Sequence, residues 1–552
     1  MTVTRLRLSL SLTLTALMLA ACGGGGGEAG SASRGAPVGG ASGQELAAAQ
    51  VLRWGNGAEP QTIDPHRGEG VPGSNIQRDL FEGLINEAPN GDLVPGSAVA
   101  WEISDDLLTY TFELRREARW SNGDPMTAED WVYSLRRSLD PKTLSRYTFI
   151  LSPILNAAAV AAGELPPAEL GVRAIDDYTL EIKLEGPTPY FLGLLTHATS
   201  FAVHRASVET HGDRFTRPGN LVSNGAFVLD EWVVQSHVKL VRNPYYWDNA
   251  NTTLEEVWFY VTEDQSAELR RYRADELDIT YTVPKRQMDW IRENVSAEMK
   301  FAPYLGSYYY AFNTIRPPFE DNPKLRRALS LAIDRDIITR EITNAGEIPA
   351  FGFVPPVNGY EGQQMPEAAW TQAEREAQAR RLYAEAGYSP ANPLRTEIMY
   401  NTQEDHRRIA VAIAAMWNEV LGVEVSILNQ EWKVFLDTRR QKIDTQVVRN
   451  GWIGDYNDAN SFAELMLSTS GLNDAGYANP AYDALVHAAS REGDLARRAD
   501  LLQQAEAVML EDMPVLPIYF YVTTRLVKPW VGGYETNIMD HHRSKNFLIL
   551  EH

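Results

Sequence analysis

Leu108, Tyr110, Phe112 and Leu114 alternate with polar positions, and Tyr178, Leu180, Ile182 and Leu184 do so again after the turn Ala174-Ile175-Asp176-Asp177. A period of two turns one face to a core and the other to water, so both stretches read as half-buried strands. Thr127, with Asp130 three residues on and Trp131-Val132 next, makes a capping start for a helix. Further along the period lengthens. Residues 325–342, 372–386 and 406–421 carry helical spacing and many helix formers. Residues 423–428 then read as a strand, 433–440 as a helix and 443–448 as another strand. This order implies a parallel α/β lobe. The N-terminal region is richer in hairpins, and a cleft is expected between the two regions.

The start of the chain follows another logic. Arg5 and Arg7 precede an apolar run at 8–20 that is too short for a stable membrane span. It ends in Leu19-Ala20-Ala21-Cys22, which is similar to a bacterial lipoprotein cleavage box. Cys22 is the only cysteine, so no intrachain disulfide can form. Directly after an apolar run and small residues it reads as an acylation site rather than a core residue, and acyl chains would hold the protein at a membrane surface. Residues 1–22 are therefore a leader. Residues 23–47, rich in Gly, Ala and Ser, form a tether that cannot bury a core. Ordered structure is expected from about Val51.

The remaining chain, about 500 residues, exceeds what one hydrophobic core usually supports, so at least two lobes are expected. The formal charge of −22, from 51 basic and 73 acidic residues, argues against nucleic acid or anionic lipid as the main partner. It identifies no substrate, because acidic surfaces also serve solubility. There is no Walker loop, no HExxH, no closely spaced Cys/His set and no G-x-S-x-G. Asp540-His541-His542 could ligate a metal but reads more simply as an exposed polar loop. Carboxylates are plentiful, yet no pairing singles out an acid and a base. Neither catalysis nor a cofactor is supported.

The candidate chemistry lies at Arg449-Asn450-Gly451-Trp452-Ile453-Gly454-Asp455. Open α/β sheets bind ligands at the carboxyl ends of their strands. After a strand at 443–448, Arg449 and Asp455 would offer a cation and an anion across a short gap, which suits a zwitterion with separated charges, such as a peptide. Gly454-Asp455-Tyr456-Asn457-Asp458 is also good turn chemistry, so spacing alone leaves a surface turn open.

Residues 429–437 and 449–462 also resemble the corresponding stretches of periplasmic oligopeptide-binding proteins, the family 5 extracellular solute-binding proteins of ABC peptide importers. The likeness recurs at 55–84, 109–143, Asn243-Pro244-Tyr245-Tyr246-Trp247, Asp334-Arg335-Asp336-Ile337-Ile338 and 525–534, and covers nearly everything after residue 50 in order. It implies an α/β periplasmic-binding-protein fold: two lobes joined by two crossover strands that close on a ligand by hinge motion. The first lobe would be discontinuous, at 48–81, 207–306 and 523–552, with an inserted domain at 82–206. The second lobe would be 307–522.

The resemblance also implies roles for single residues. Asp455 would salt-bridge the peptide ammonium. Arg449, His406 and Arg439 would meet the carboxylate, directly or through water, at different peptide lengths. Glu69, Val71, Tyr147, Tyr309, Trp432, Trp452 and Tyr521 would line the cleft, where aromatic faces tolerate varied side chains. Taken alone, His406 reads as a capping or surface histidine, and any one of the aromatics as core. The chain departs from the family at Thr343, where a carboxylate-binding lysine is expected, at Thr282, where an asparagine is, and at Gly306 and Ile453, where the family has paired cysteines.

The implied protein is a periplasmic, lipid-anchored monomer that passes short peptides to an inner-membrane ABC permease with its ATPase subunits. A murein-peptide receptor of the same fold is a close rival. A surface-attached peptide or glycan hydrolase would need an acid/base pair or a metal in the cleft. A chaperone-like or adhesive lipoprotein would expose an apolar surface.

Overall fold

The computed structural model describes residues 45–357 and 359–552. The leader, Cys22 and the tether as far as residue 44 lie outside the described residues. Pairing begins before the expected Val51: Leu46 bridges Leu550, and the Ala47 N–H donates to the Ile549 carbonyl at 2.9 Å. The end of the predicted tether is thus tied to the C-terminal segment, whose backbone supplies partners the local sequence lacks. Among the described residues, no helix is long and apolar enough to cross a membrane.

Among the described residues, three large apolar cores, with two smaller clusters, organise the fold. The first collects Leu52, Trp54, Phe227, Leu240, Val257 and Phe259 together with Val527, Phe547 and Ile549 from the chain end. Over it lies a sheet in the order Val51–Gly55, Glu256–Tyr260, His237–Arg242, Phe227–Val233. The second core lies within residues 84–202, joined by Tyr456, under the antiparallel strands Ala98–Ile103, Thr109–Leu114, Thr179–Lys183 and Val172–Asp176. The alternating apolar residues form two of these strands and point inward. The helix Ala128–Leu139 starts at Thr127 with the expected capping box, the Asp130 carboxylate accepting from the Thr127 N–H at 2.8 Å.

The third core fills residues 305–519 and Met539 around a six-stranded sheet. Its order is Ile348–Pro349, Val515–Leu526, Met299–Phe312, Val447–Ile453, Arg395–Asn401, Glu424–Gln430. Arg395–Asn401 runs parallel to both of its neighbours, as the alternating helices require. Met299–Phe312 and Val515–Leu526, by contrast, pair antiparallel. The chain enters this region along one and leaves along the other, and that forces opposite directions. Their pairing starts at a smaller apolar cluster with Leu269, Tyr272 and Ile291, where Met299 faces Leu526, and breaks register between Pro303 and Ser307. Two long strands thus connect the regions.

Two predicted elements shift. The strand expected at 443–448 is Val447–Ile453. The preceding helix, Trp432–Gln441, ends in a left-handed Lys442, and the next residues carry the chain back to the sheet while Asn313 holds the Lys442 and Thr445 carbonyls. Arg449 therefore lies inside a strand, not beyond its end. The helix expected at 325–342 splits into Pro323–Leu331, Arg335–Ile337 and a wide-wound turn at Ile338–Thr343.

The break seats Arg335, which is fully buried. Its guanidinium donates to the carbonyls of Ala350 (2.8 Å), Pro517 (2.9 Å) and Ser330 (3.0 Å) and to the Ser330 hydroxyl (2.8 Å). Arg335→Met should leave these acceptors unpaired and destabilise the fold by about 3 kcal/mol or more. Arg335→Lys should rescue little, lacking the planar fork. Denaturant unfolding reads both, and a loss below about 1 kcal/mol in Arg335→Met would refute the assignment.

Candidate ligand-binding cleft

All eleven residues singled out for the site line one cavity of about 440 Å³, a size that suits a small ligand. Its walls come from every region of the fold. Glu69 and Val71 stand at the start of the helix Val71–Leu80, and Tyr147 comes from the 84–202 core region. Tyr309 and Tyr521 lie on the two long connecting strands, and Trp432 opens the helix Trp432–Gln441. Arg449 and Trp452 share the strand Val447–Ile453, and Asp455 follows it.

Asp455 marks one end. Its N–H donates to the Ser461 hydroxyl at 3.0 Å, while one carboxylate oxygen is buried without a hydrogen-bond partner. The other lies 3.7 Å from His197 Nε2. Burial raises the carboxyl pKa well above its usual range, with Arg78 opposing. Nor can His197 serve as a counter-cation. Its Nδ1 accepts the Thr199 N–H at 3.2 Å, its ring stacks on Tyr147, and burial pushes its pKa down to about 3. A buried carboxylate facing a neutral imidazole favours an incoming cation.

At the opposite end, Arg449 has no carboxylate within 4.0 Å among the described residues. It donates to Tyr521 Oη at 2.8 Å and to Asn401 Oδ1 at 3.3 Å, lies over the Tyr308 ring, and keeps Nε buried and unpartnered. Neighbouring tyrosines raise its pKa against burial, so it stays a cation. Along a strand, Arg449 and Asp455 are at most about 20 Å apart.

The other two implied carboxylate partners differ from expectation. His406 is neither cap nor surface: it is buried in the helix Glu404–Leu421, with Nδ1 3.3 Å from Tyr308 Oη. Burial, then Arg449, hold its pKa well below normal, so it is a neutral donor or acceptor and not a second cation. Arg439 is already matched by Asp474, 2.9 Å from its Nε, and by Asn450 at 2.8 Å. Glu69 is likewise spoken for, between Arg440 at 2.7 Å and Arg146 at 3.3 Å. Of the four charged residues foreseen, Arg449 and Asp455 are thus the two without an ionised partner within 4.0 Å among the described residues; Arg78 and Glu268, which also line the cavity, likewise have none.

Thr282 and Thr343 also line the cavity. Gly306 and Ile453, where the family carries cysteines, face each other across adjacent strands. Sequence reading missed His197, Lys285, Glu347 and Arg78, which line the same wall but sit in stretches with no distinctive spacing. Asp540-His541-His542 is not the exposed loop expected. Asp540 and His542 are buried, Asp540 pairs with Arg525, and His541 Nδ1 lies 2.7 Å from Glu87. The described residues contain no group of three or more His, Cys, Asp or Glu that could hold a metal.

The profile of bacterial extracellular solute-binding proteins, family 5, matches residues 92–474. The chain is 42% identical to the periplasmic oligopeptide-binding protein OppA of Salmonella typhimurium over 518 residues, covering 93% of this chain and 94% of that one. The Haemophilus influenzae OppA complex with RPPGFSPFR superposes with TM-score 0.88 at 39% identity, covering 92% of this chain and 100% of that one. The Escherichia coli murein tripeptide binding protein MppA gives TM-score 0.89 at 41% identity with the same coverage. The unliganded open form of MppA gives 0.69 at 41% identity, covering 93% and 99%. The present conformation is therefore nearer to the first MppA structure than to the open one. An α/β fold on two connecting strands, a walled cavity and these matches agree, and the chain belongs to the bacterial extracellular solute-binding proteins of family 5.

Proposed function

We propose that this protein is an extracytoplasmic receptor that captures short oligopeptides in the cleft and delivers them to an ABC permease. The observation that carries the reading is the pair of unmatched charges, Asp455 and Arg449, in one aromatic-walled cavity. A free peptide brings an ammonium to one and a carboxylate to the other. Reading both ends leaves its side chains loosely held, which suits a receptor for many sequences. The lobes are taken as 48–81 with 207–306 and 523–552, and as 307–522, with 82–206 inserted. Three large cores and two connecting strands support that division. Mass spectrometry of the ligand that co-purifies with the full chain tests the function. Peptides of about two to five residues are expected, and a non-peptide solute as sole ligand would refute it.

The receptor is placed in the periplasm, anchored by an acyl group on Cys22. The cleavage-box likeness of Leu19-Ala20-Ala21-Cys22 and the periplasmic relatives support this. Cys22→Ser should abolish incorporation of labelled palmitate. Normal incorporation in that variant would remove the anchor from Cys22.

A further inference from the structure

At Glu69 three regions of the chain meet on one carboxylate. Arg440 Nη2 donates to its Oε1 at 2.7 Å, and Arg146 Nη1 lies 3.3 Å from both oxygens. Arg146 Nη2 also donates to the Gly471 carbonyl at 2.8 Å. The Glu69 side chain is 8% exposed and the two arginines 22% and 24%, so the pairs are largely desolvated and stronger than surface ones. Glu69 lines the cavity, and neither arginine does.

Each partner is anchored in a different part of the fold. Glu69 leads into the helix Val71–Leu80, whose Ile76 and Leu80 belong to the first core. Arg146 precedes Ile150 and Leu151 of the second core. Arg440 stands in the last turn of the helix Trp432–Gln441, whose Phe435 packs on Met399 and Val448 of the six-stranded sheet. That helix lies over Val447–Ile453 and Arg395–Asn401, one and two strands out from the connecting strand Met299–Phe312. Another ion pair, Lys285–Glu347 at 2.9 Å, also joins the regions before and after that strand. It sits close to the connecting strands, where Ala345 packs with Met288, Ile291 and Leu526, and a hinge moves least there. The Glu69 contacts have no such apolar cluster tying them to the connecting strands.

We propose that Arg440 and Arg146 close on Glu69 as a clasp that holds the lobes together around a bound peptide and slows its release; this rests on the peptide-receptor reading. Opening carries the three anchoring parts away from one another and pulls both guanidinium groups off the carboxylate. Closing restores the pairs without any contact between the arginines and the ligand. The clasp therefore acts on every peptide alike, whatever its length or sequence. It acts on escape and not on entry, because an incoming peptide meets the open cleft, where the pairs are not yet made. A carboxylate committed to two arginines is also withheld from a basic side chain of the ligand.

The test is stopped-flow binding and release of trialanine, tetraalanine and pentaalanine by the full chain. Arg440→Met should raise the release rate about tenfold at every length and change the association rate less than about twofold. Arg146→Met, which removes the longer of the two contacts, should give a smaller rise of the same kind. With Glu69→Gln already in place, Arg440→Met should add less than about twofold, because both act through one contact. The preference for free over N-acetylated peptides, set by Asp455, should stay as in the wild type in both arginine variants. Release rates unchanged in Arg440→Met and Arg146→Met would overturn the clasp while leaving the receptor reading intact. So would Glu69→Gln and Arg440→Met effects that simply multiply, or a rise confined to one peptide length. A wild type that binds no peptide at any length would overturn both.

Discussion

Asp455→Asn should weaken binding of peptides with a free amino terminus by about 10²–10³-fold. Breaking one side of a buried ion pair costs about 3–5 kcal/mol, and each 1.4 kcal/mol is about tenfold in affinity. The Asp455 carboxylate has a buried oxygen with no partner, which an incoming ammonium would satisfy. Acetylating the peptide amine should cost the wild type a similar factor and the variant little. Equal affinity of the wild type for free and acetylated peptides would end the assignment. Asparagine should also ease closure without ligand, because the closed cavity buries a charge that has no counter-ion. The sign follows from the raised pKa of Asp455. Its penalty is absent below the ordinary carboxyl value of about 3.9 and grows as pH rises toward the raised value. Small-angle scattering should therefore find the ligand-free variant more compact than the wild type at neutral pH, with the difference gone near pH 3.

Arg449→Met should cost about 10²-fold at one peptide length and far less at its neighbours. A guanidinium meeting a carboxylate makes hydrogen bonds worth about 1.5–3 kcal/mol each, whereas other lengths can be bridged by water. Neither of the other two expected partners can take over: Arg439 is held by Asp474, and His406 is neutral. A length series by calorimetry decides the matter. Uniform loss across lengths would mean that Arg449 serves the wall itself, through Tyr521 and Asn401.

Much of the local structure could be read from spacing. The alternation at Tyr110, Phe112 and Leu114 and at Leu180 and Ile182 became inward faces of adjacent strands, and Thr127 with Asp130 became a helix start. Both signals are local, carried by residues within one turn or one strand. The misplacements came where a distant partner decided. The helix at 325–342 broke to set Arg335 among carbonyls as remote as Pro517. The strand at 443–448 slid onward to pair with Tyr309 and Tyr310. Asp540-His541-His542, polar enough for a surface loop, was drawn inside by Arg525 and Glu87.

The site divides the same way. Likeness along the chain located the eleven residues that now share one cavity, because a cleft wall reuses the same positions along a common backbone. It could not say which of their charges were already committed. Glu69 is satisfied by Arg146 and Arg440, Arg439 by Asp474, and Lys285 by Glu347. Each pairing joins residues far apart in the chain and depends on ångström-scale proximity in a desolvated wall. A sequence displays its charges but not their partners. Only the fold could leave Asp455 and Arg449 outside any ion pair and bind Glu347, beside Thr343, to the distant Lys285.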